Sequence, residues 1–444
     1  MPAPANHSQR RILIATDMCF WRRSTGAEQR AAALIDFLQS QQHTLKTFLL
    51  APSQTLETAD QSAIERNGLD VAVRSSDQVP LQFWKKIGWY IAATRNQYFP
   101  QHRSSESPHF DSNLDIGSID NTPTTLSDFR WTWALDAFRE AVDAFQPEVI
   151  LVEYIKLGYL LESLSPQQRA SIYCIVDTHD VLHLRCQAFQ AKGQVHWIEI
   201  SREEESVALS NFDALIAIQS DEANLLQDLA PNSNVITCGH APPFSMVDET
   251  AQRPVENHPL TLGFLASENA ANIDAIHSFL RDIWPLSVSK LGDRIRMVVA
   301  GTICGAIDAA TFDTDQVSLI GPVDTLKDFY HAVDLVVNPV KFGTGLKIKN
   351  IEALAFGKPL LTTQHGAVGL PTELLAGIQR SGGFETEKAV EIFGSPSTFM
   401  ELVLPFVNPS YRASVSDRAK RLSRTVLSEQ SVYSELAQVL SEIG

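Results

Sequence analysis

A chain of 444 residues, 44% hydrophobic and 20% charged, is long enough to bury two or three cores of ordinary soluble size. Its formal net charge of −16 excludes the broad basic face used for nonspecific nucleic-acid binding, so any anion site must be local. Five spread-out cysteines, Cys19, Cys174, Cys186, Cys238 and Cys304, form no CxxC pair, which argues against a disulfide framework or a zinc site and for reduced thiols in the cytoplasm.

The opening MPAPANHSQRR lacks the apolar core of a signal segment, and no window approaches the ~18 uninterrupted apolar residues of a membrane span. A protein neither exported nor membrane-spanning is expected. RILIAT (11–16) is a short apolar run; a loop leads to Gly26, AEQRAAALIDFLQSQ has helical period, and TLKTFLL returns to strand composition. That order predicts a β-loop-α-β opening. The stretch 80–103 has four basic residues, no acidic one, and Trp84, Trp89 and Tyr90. It reads as a core-packed helix with its lysines outside, or as an interfacial patch facing a membrane or a lipid-linked acceptor. Residues 102–128 are polar and rich in serine, which predicts a mobile surface loop.

PEVILVEY (147–154), IYCIVDTHD (172–180), DALIAIQS (213–220) and NVITCGH (234–240) are near-continuous apolar runs, as parallel strands covered on both faces require. Proline and polar residues over 241–259 mark a linker. A second series follows: LTLGFLAS, IRMVVAG, VSLIG, VDLVVNP and PLLTT, alternating with helical patterns. The expected architecture is α/β, with two doubly wound Rossmann-like domains over 1–240 and 260–410 and closing helices over 411–444 that pack back on the first domain. Ligands in such sheets bind beyond the carboxyl ends of strands.

One segment holds more than packing needs. KFGTGLKIKNIEALAFGKP (341–359) follows the strand VDLVVNP, and Ile348, Ile351, Leu354 and Ala355 fall on one helical stripe. Gly343 and Gly345 then stand where the helix begins, near Gly345. An anion can approach backbone N–H groups there without a Cβ in the way. Lys347 and Lys349 add full charges, and ~100° per residue turns Lys349 about 200° away from Lys347. Glu352 lies about 10 Å along the axis from Gly345, the separation of a diphosphate from its ribose. Spacing excludes a P-loop, because Glu352 stands where that motif needs glycine, and a dinucleotide fingerprint, because Ile348 does. A capped amphipathic helix with a solvated polar face is the plainer alternative.

The block GTGLKIKNIEALAFGKPLLTTQHGAVGL (343–370), with LGFLASENAANIDAIHSFLRDIWP and FDALIAIQSDEANLL, resembles glycosyltransferase family 4 (group 1) of the GT-B fold, in its GTGLKIK-type branch. That resemblance implies transfer of a sugar from a UDP- or GDP-linked donor to a saccharide or lipid-linked acceptor, in polysaccharide or envelope glycan synthesis. It implies retention at the anomeric carbon, no metal and no other cofactor. Activity is expected in the cytoplasm, with any membrane contact peripheral, at the inner face and through 80–103.

In many members two glutamates line the donor site at positions matching 344 and 352. Here Glu352 matches the ribose ligand, while the other position is Thr344. The arginine and lysine that many relatives place after the first strand of this domain are absent from ASENAAN (266–272). The resemblance therefore makes Lys347 the first candidate to neutralise the leaving diphosphate, Lys349 the second, with Gly343, Thr344, Gly345 and Leu346 as donor loop. Gly321, Pro322 and Val323 match the base-holding position. WRRSTGAEQR resembles the glycine-rich loop before the first helix, which puts Thr25 and Gly26 at the cleft. VDTHDVLHLR resembles the cleft loop, where His179 and Asp180 meet the sugar or the acceptor hydroxyl; strand-end residues satisfied by backbone are the alternative. Asp313 and Asp315 have the form of a metal-binding DxD but read as a solvated turn, and His240 reads as a hinge-side structural residue. A sugar-nucleotide epimerase of the same fold and a noncatalytic nucleotide-binding partner protein are the competing functions.

Overall fold

The computed structural model describes residues 9–23, 25–50, 56, 58–74, 124–191, 193, 196–242, 244, 258–308, 316–323, 325–376 and 388–443. The stretch 80–103, most of 102–128, most of the 241–259 linker, Asp313 and Asp315 lie outside the described residues.

Thirteen strands are described: β1 (Arg11–Thr16), β2 (Thr44–Leu50), β3 (Val71–Arg74), β4 (Val149–Glu153), β5 (Tyr173–Asp177), β6 (Ala214–Ala217), β7 (Asn234–Thr237), β8 (Leu260–Leu265), β9 (Ile295–Ala300), β10 (Val317–Gly321), β11 (Leu335–Asn338), β12 (Leu360–Thr362) and β13 (Val390–Ile392). They form a seven-stranded sheet in the order β3-β2-β1-β4-β5-β6-β7 and a six-stranded sheet in the order β10-β9-β8-β11-β12-β13. Every pairing between these strands is parallel. Both sheets therefore reverse their winding at their first strand, between β1 and β4 and between β8 and β11, where a crevice opens for ligands.

The unbroken apolar runs have a direct structural meaning. Leu13 and Ala15 of β1 pack with Phe48, Ile150 and Val152 on one face. Ile12 and Ile14 pack with Leu49, Val149 and Leu151 on the other. The second sheet repeats this, with Leu335 and Val337 on one side and Val336 on the other. A strand buried on both faces has no polar face to alternate with, so it is read from composition and not from period.

The closing helices divide between the two cores. The helix Pro409–Val426 sets Ala419 and Leu422 against Ile351 and Leu354. The last helix, Ser434–Glu442, crosses to the first sheet, where Leu436 and Leu440 join Ile14 and Phe37. Tyr433 meets Phe37 at 4.7 Å between ring centroids, and the Thr237 N–H donates to Glu435 at 2.8 Å. Each fully buried leucine there contributes roughly 1.5–3 kcal/mol, so this return strap holds the chain's end to the first domain. Among the described residues, no helix is long and apolar enough to cross a membrane.

Candidate donor-binding cleft

The loop after β11 is shaped by two left-handed glycines, Gly343 at φ 104° and Gly345 at φ 74°. A side chain at 345 would be strained by that backbone, and its Cβ would stand 2.6 Å from Asp180 Oδ1. These turns delay the helix, which runs Ile348–Ala355 with Lys347 as its N-cap residue. The expected start near Gly345 is thus corrected by three residues, because αL glycines cannot continue a right-handed helix. The 200° separation of Lys347 from Lys349 falls with it, since Lys347 lies outside the helix. Ile348 also leaves the core stripe: its side chain faces Gly26 of the first domain, where an added Cβ would sit 3.3 Å from it. Thr25 caps the helix Gly26–Ser40, its hydroxyl accepting from the Glu28 N–H at 3.2 Å.

Lys347 Nζ donates to the Thr344 and Gly345 carbonyls at 3.1 and 2.6 Å, so the ammonium is folded over its own loop. Burial lowers its pKa to about 8, opposed by the Asp180 carboxylate. Lys349 takes a separate path: its Nζ donates to Asn272 Oδ1 at 2.8 Å and lies 4.9 Å from the Phe264 ring centroid. Asn272 is in the first turn of the helix Ala270–Asp282, after β8. Lys349, from the first turn of the helix Ile348–Ala355, thereby sets a cation beside ASENAAN, which has none of its own. Burial lowers its pKa to about 7, with Lys347 adding to the shift.

Glu352 is 3% exposed, and one oxygen accepts from the Tyr330 hydroxyl at 3.4 Å. Its Oε1 is buried with no partner in bonding geometry among the described residues. Burial raises its pKa to about 7 against the pull of Tyr330, Lys349 and, from the first domain, Gln29. A carboxyl held half-satisfied at a domain boundary suits a ligand hydroxyl. Asn350 fixes the helix in place, accepting from Asn338 at 2.8 Å and donating to the Gly366 carbonyl at 2.8 Å. Gly321 ends β10 at the sheet edge, where its carbonyl accepts from Gly301 at 2.7 Å; Pro322 beside it is exposed.

The facing wall comes from the ends of β4 and β5. Asp180 accepts from Thr344 Oγ1 at 2.9 Å and from Arg185 at 2.8 Å, which ties the cleft loop of one domain to the glycine loop of the other. His179, at φ 60°, stacks on Tyr154 with centroids 4.0 Å apart and bonds Glu153 through Nε2 at 2.6 Å. Glu153, Asp177 and His179 lie within 4.8 Å of one another. Arg30 already meets Asp177 through two nitrogens at 2.9 Å, both residues being fully buried. That guanidinium supplies the positive charge a metal would bring. His240 is buried with neither ring nitrogen partnered among the described residues, and burial lowers its pKa to about 3.

Several residues of the cleft carry no local sequence signal. Arg185, Gln219, Glu222 and His365 arrive from three separate places: the helix Leu182–Gln190, the start of the helix Ser220–Leu229 and the loop after β12. His365 lies against the backbones of Phe342 and Gly343, and burial with nearby Lys347 lowers its pKa, which leaves a neutral imidazole.

Comparison with known proteins places the fold. The chain superposes on Anabaena HepE in complex with UDP and glucose, with a TM-score of 0.59, 12% identity, and 98% of this chain and 100% of that one covered. It superposes on sucrose-phosphate synthase from Thermosynechococcus elongatus at TM-score 0.62 and 12% identity, covering 97% and 98% of the two chains. For S. aureus TarM in complex with fondaparinux, α-GlcNAc-glycerol and UDP the values are 0.61, 10%, 98% and 100%. The fold is GT-B. Residues 259–383 match the family described as glycosyl transferases group 1, a span that contains the Gly343–Glu352 cradle. No curated protein gives a match.

Proposed function

We propose that this GT-B protein transfers a sugar from a nucleoside-diphosphate sugar to a saccharide or lipid-linked acceptor, with retention and without a metal, in polysaccharide or envelope glycan synthesis. The observation that carries this reading is the pairing, on one short segment, of Lys347 above two left-handed glycines with the half-satisfied Glu352 deeper in the cleft. UDP bound to HepE and to TarM supports it from outside. The free cysteines, four of them buried, fit a reducing cytoplasm.

Departure of a nucleoside diphosphate builds negative charge on the bridging oxygen, and preorganised positive charge with N–H donors lowers that barrier most. Lys347 and the Gly343–Gly345 amides serve the diphosphate, Lys349 and the Ala270 helix end support them, and Glu352 takes the ribose. His179, clamped at Nε2 by Glu153, offers Nδ1 to the sugar or the acceptor. Asp180 holds the two walls at working distance. In a retaining transfer the hydroxyl attacks from the leaving-group side and the departing phosphate accepts its proton, so no side-chain nucleophile is required.

A thermal-shift screen of UDP, GDP, ADP and CDP tests the nucleotide part, since a ligand stabilises by RT ln(1 + [L]/Kd). One or two bases should raise Tm in a concentration-dependent way. No shift with any base would overturn the reading. Turnover of a nucleotide-sugar to its epimer without acceptor would favour an epimerase instead.

A further inference from the structure

Across the cleft from the glycine loop lies a pair of side chains that the donor cradle does not use. β6 ends at Ala217, and Gln219 stands at the N-cap position of the helix Ser220–Leu229 without capping it. Instead its amide nitrogen donates to Glu222 Oε1 at 2.9 Å. The two residues are 6% and 5% exposed, yet Gln219 Oε1 and Glu222 Oε2 are buried without a hydrogen-bond partner among the described residues. Two orphaned oxygens side by side are rare in a settled interior and call for a missing partner.

Their surroundings lie at the boundary between the two domains. Gln219 Oε1 would lie 2.0 Å from a Cβ at Gly369, a left-handed glycine in the loop after β12, so the second domain leaves room for this oxygen. Lys347 and Asp180 both act electrostatically on Glu222, and Arg185 is near enough to feel it. The pair therefore faces the Lys347 end of the cleft, opposite to Glu352 on the donor segment. Burial, with the Asp180 charge, raises the Glu222 pKa to about 8, so at neutral pH the carboxyl keeps its proton. Glu222 then donates, and Gln219 Oε1 accepts. A hydroxyl can use both.

We propose that Glu222 and Gln219 form a hydroxyl-recognition subsite for the sugar of the nucleotide-sugar, with Glu222 Oε2 donating to one sugar oxygen and Gln219 Oε1 accepting from a sugar hydroxyl. This rests on the donor reading above, and makes the first domain a reader of the sugar.

Calorimetric titration of the full chain tests it, with UDP, UDP-glucose, UDP-galactose and UDP-N-acetylglucosamine as probes, and the GDP and ADP counterparts where uridine does not bind. In the wild type the best sugar nucleotide should bind more tightly than its bare diphosphate. Glu222→Ala should lower affinity for the sugar nucleotide about tenfold, the loss of one good hydrogen bond, and leave the bare diphosphate within about threefold. Glu222→Gln keeps a donor at that position and should restore most of the lost affinity. Gln219→Ala should act in the same direction as Glu222→Ala and serves where that variant does not fold. Equal loss for both ligands, loss for neither, or a wild type that gains nothing from the sugar overturns the subsite. A wild type that binds none of the nucleotides overturns the donor reading instead.

Discussion

Lys347 stands just outside the helix it introduces, with its ammonium turned down onto the Thr344 and Gly345 carbonyls. On the proposed reading a diphosphate would draw it off those carbonyls, most strongly as the leaving group develops charge. Lys347→Ala should therefore lower kcat about 10²- to 10³-fold, the usual loss for one transition-state donor, and weaken binding of the intact donor far less. Steady-state kinetics that show a raised KM with unchanged kcat would contradict this. Its pKa near 8 adds a pH signature with two signs. Nucleotide affinity should fall as pH rises past about 8, because the cation is lost. Stability should move the other way: the folded pKa lies below the unfolded value of 10.5, so between about 8 and 10.5 the unfolded chain binds more protons and folding gains with pH. Titrating nucleotide affinity and urea midpoint over that range, in wild type and Lys347→Met, separates the two. Glu352→Ala should cost nucleotide binding roughly 1.5–3 kcal/mol, the worth of hydrogen bonds to a charged group, and should erase any preference for ribose over deoxyribose. If the wild type already binds both forms equally, Glu352 is not the ribose ligand. These two side chains were legible in the sequence because they share one helix-forming segment. Gln219, Glu222 and Arg185 were not, because only the fold sets the Gln219–Glu222 pair of one helix start near Arg185 of another helix.

At the scale of elements, the loop 339–347 decides what the helix can do. Two left-handed glycines delay its first turn, and the absence of a Cβ at 345 lets Asp180 reach Thr344. Gly345→Ala meets both constraints at once. The αL conformation alone costs an alanine about 1–2 kcal/mol, and the Cβ clash with Asp180 forces the loop away from the first domain. A Tm lowered by several degrees and a nucleotide affinity reduced at least as much as in Glu352→Ala are expected. A variant with wild-type Tm and affinity would show that the close approach has no role. The composition of this segment announced glycines before a helix, but not that both would be left-handed. Periodicity counts apolar positions, and Ile348 fits the stripe while pointing at Gly26 across the cleft. The strands were easier to read, since RILIAT or LVVN has no place except between two covered faces.

The whole molecule is two sheets with the same winding order, set so that the carboxyl ends of β4, β5 and β6 face the loops after β11 and β12. Reading the two sheets from sequence required only the alternation of apolar runs with helical patterns; most of the proline-rich stretch 241–259 lies outside the described residues. What sequence alone left unplaced was the contact between the domains: Asp180 and Thr344 each lie in a segment with its own pattern, but 164 positions separate them and neither pattern says that they touch. The proposed transfer would depend on lysine, backbone N–H groups and helix ends. Arg30 fills the charge demand of the Glu153, Asp177 and His179 group. Activity is therefore expected to survive EDTA; loss of turnover restored by magnesium or manganese would contradict that and return attention to Asp313 and Asp315.

The most direct test of the donor cradle is a crystal structure of the protein soaked with the nucleoside diphosphate that stabilises it. The diphosphate should lie within hydrogen-bond distance of Lys347 and the Gly343–Gly345 amides, with a ribose hydroxyl on Glu352 Oε1. A nucleotide bound elsewhere at full occupancy, with Lys347 still folded onto the Gly345 carbonyl, would contradict the account.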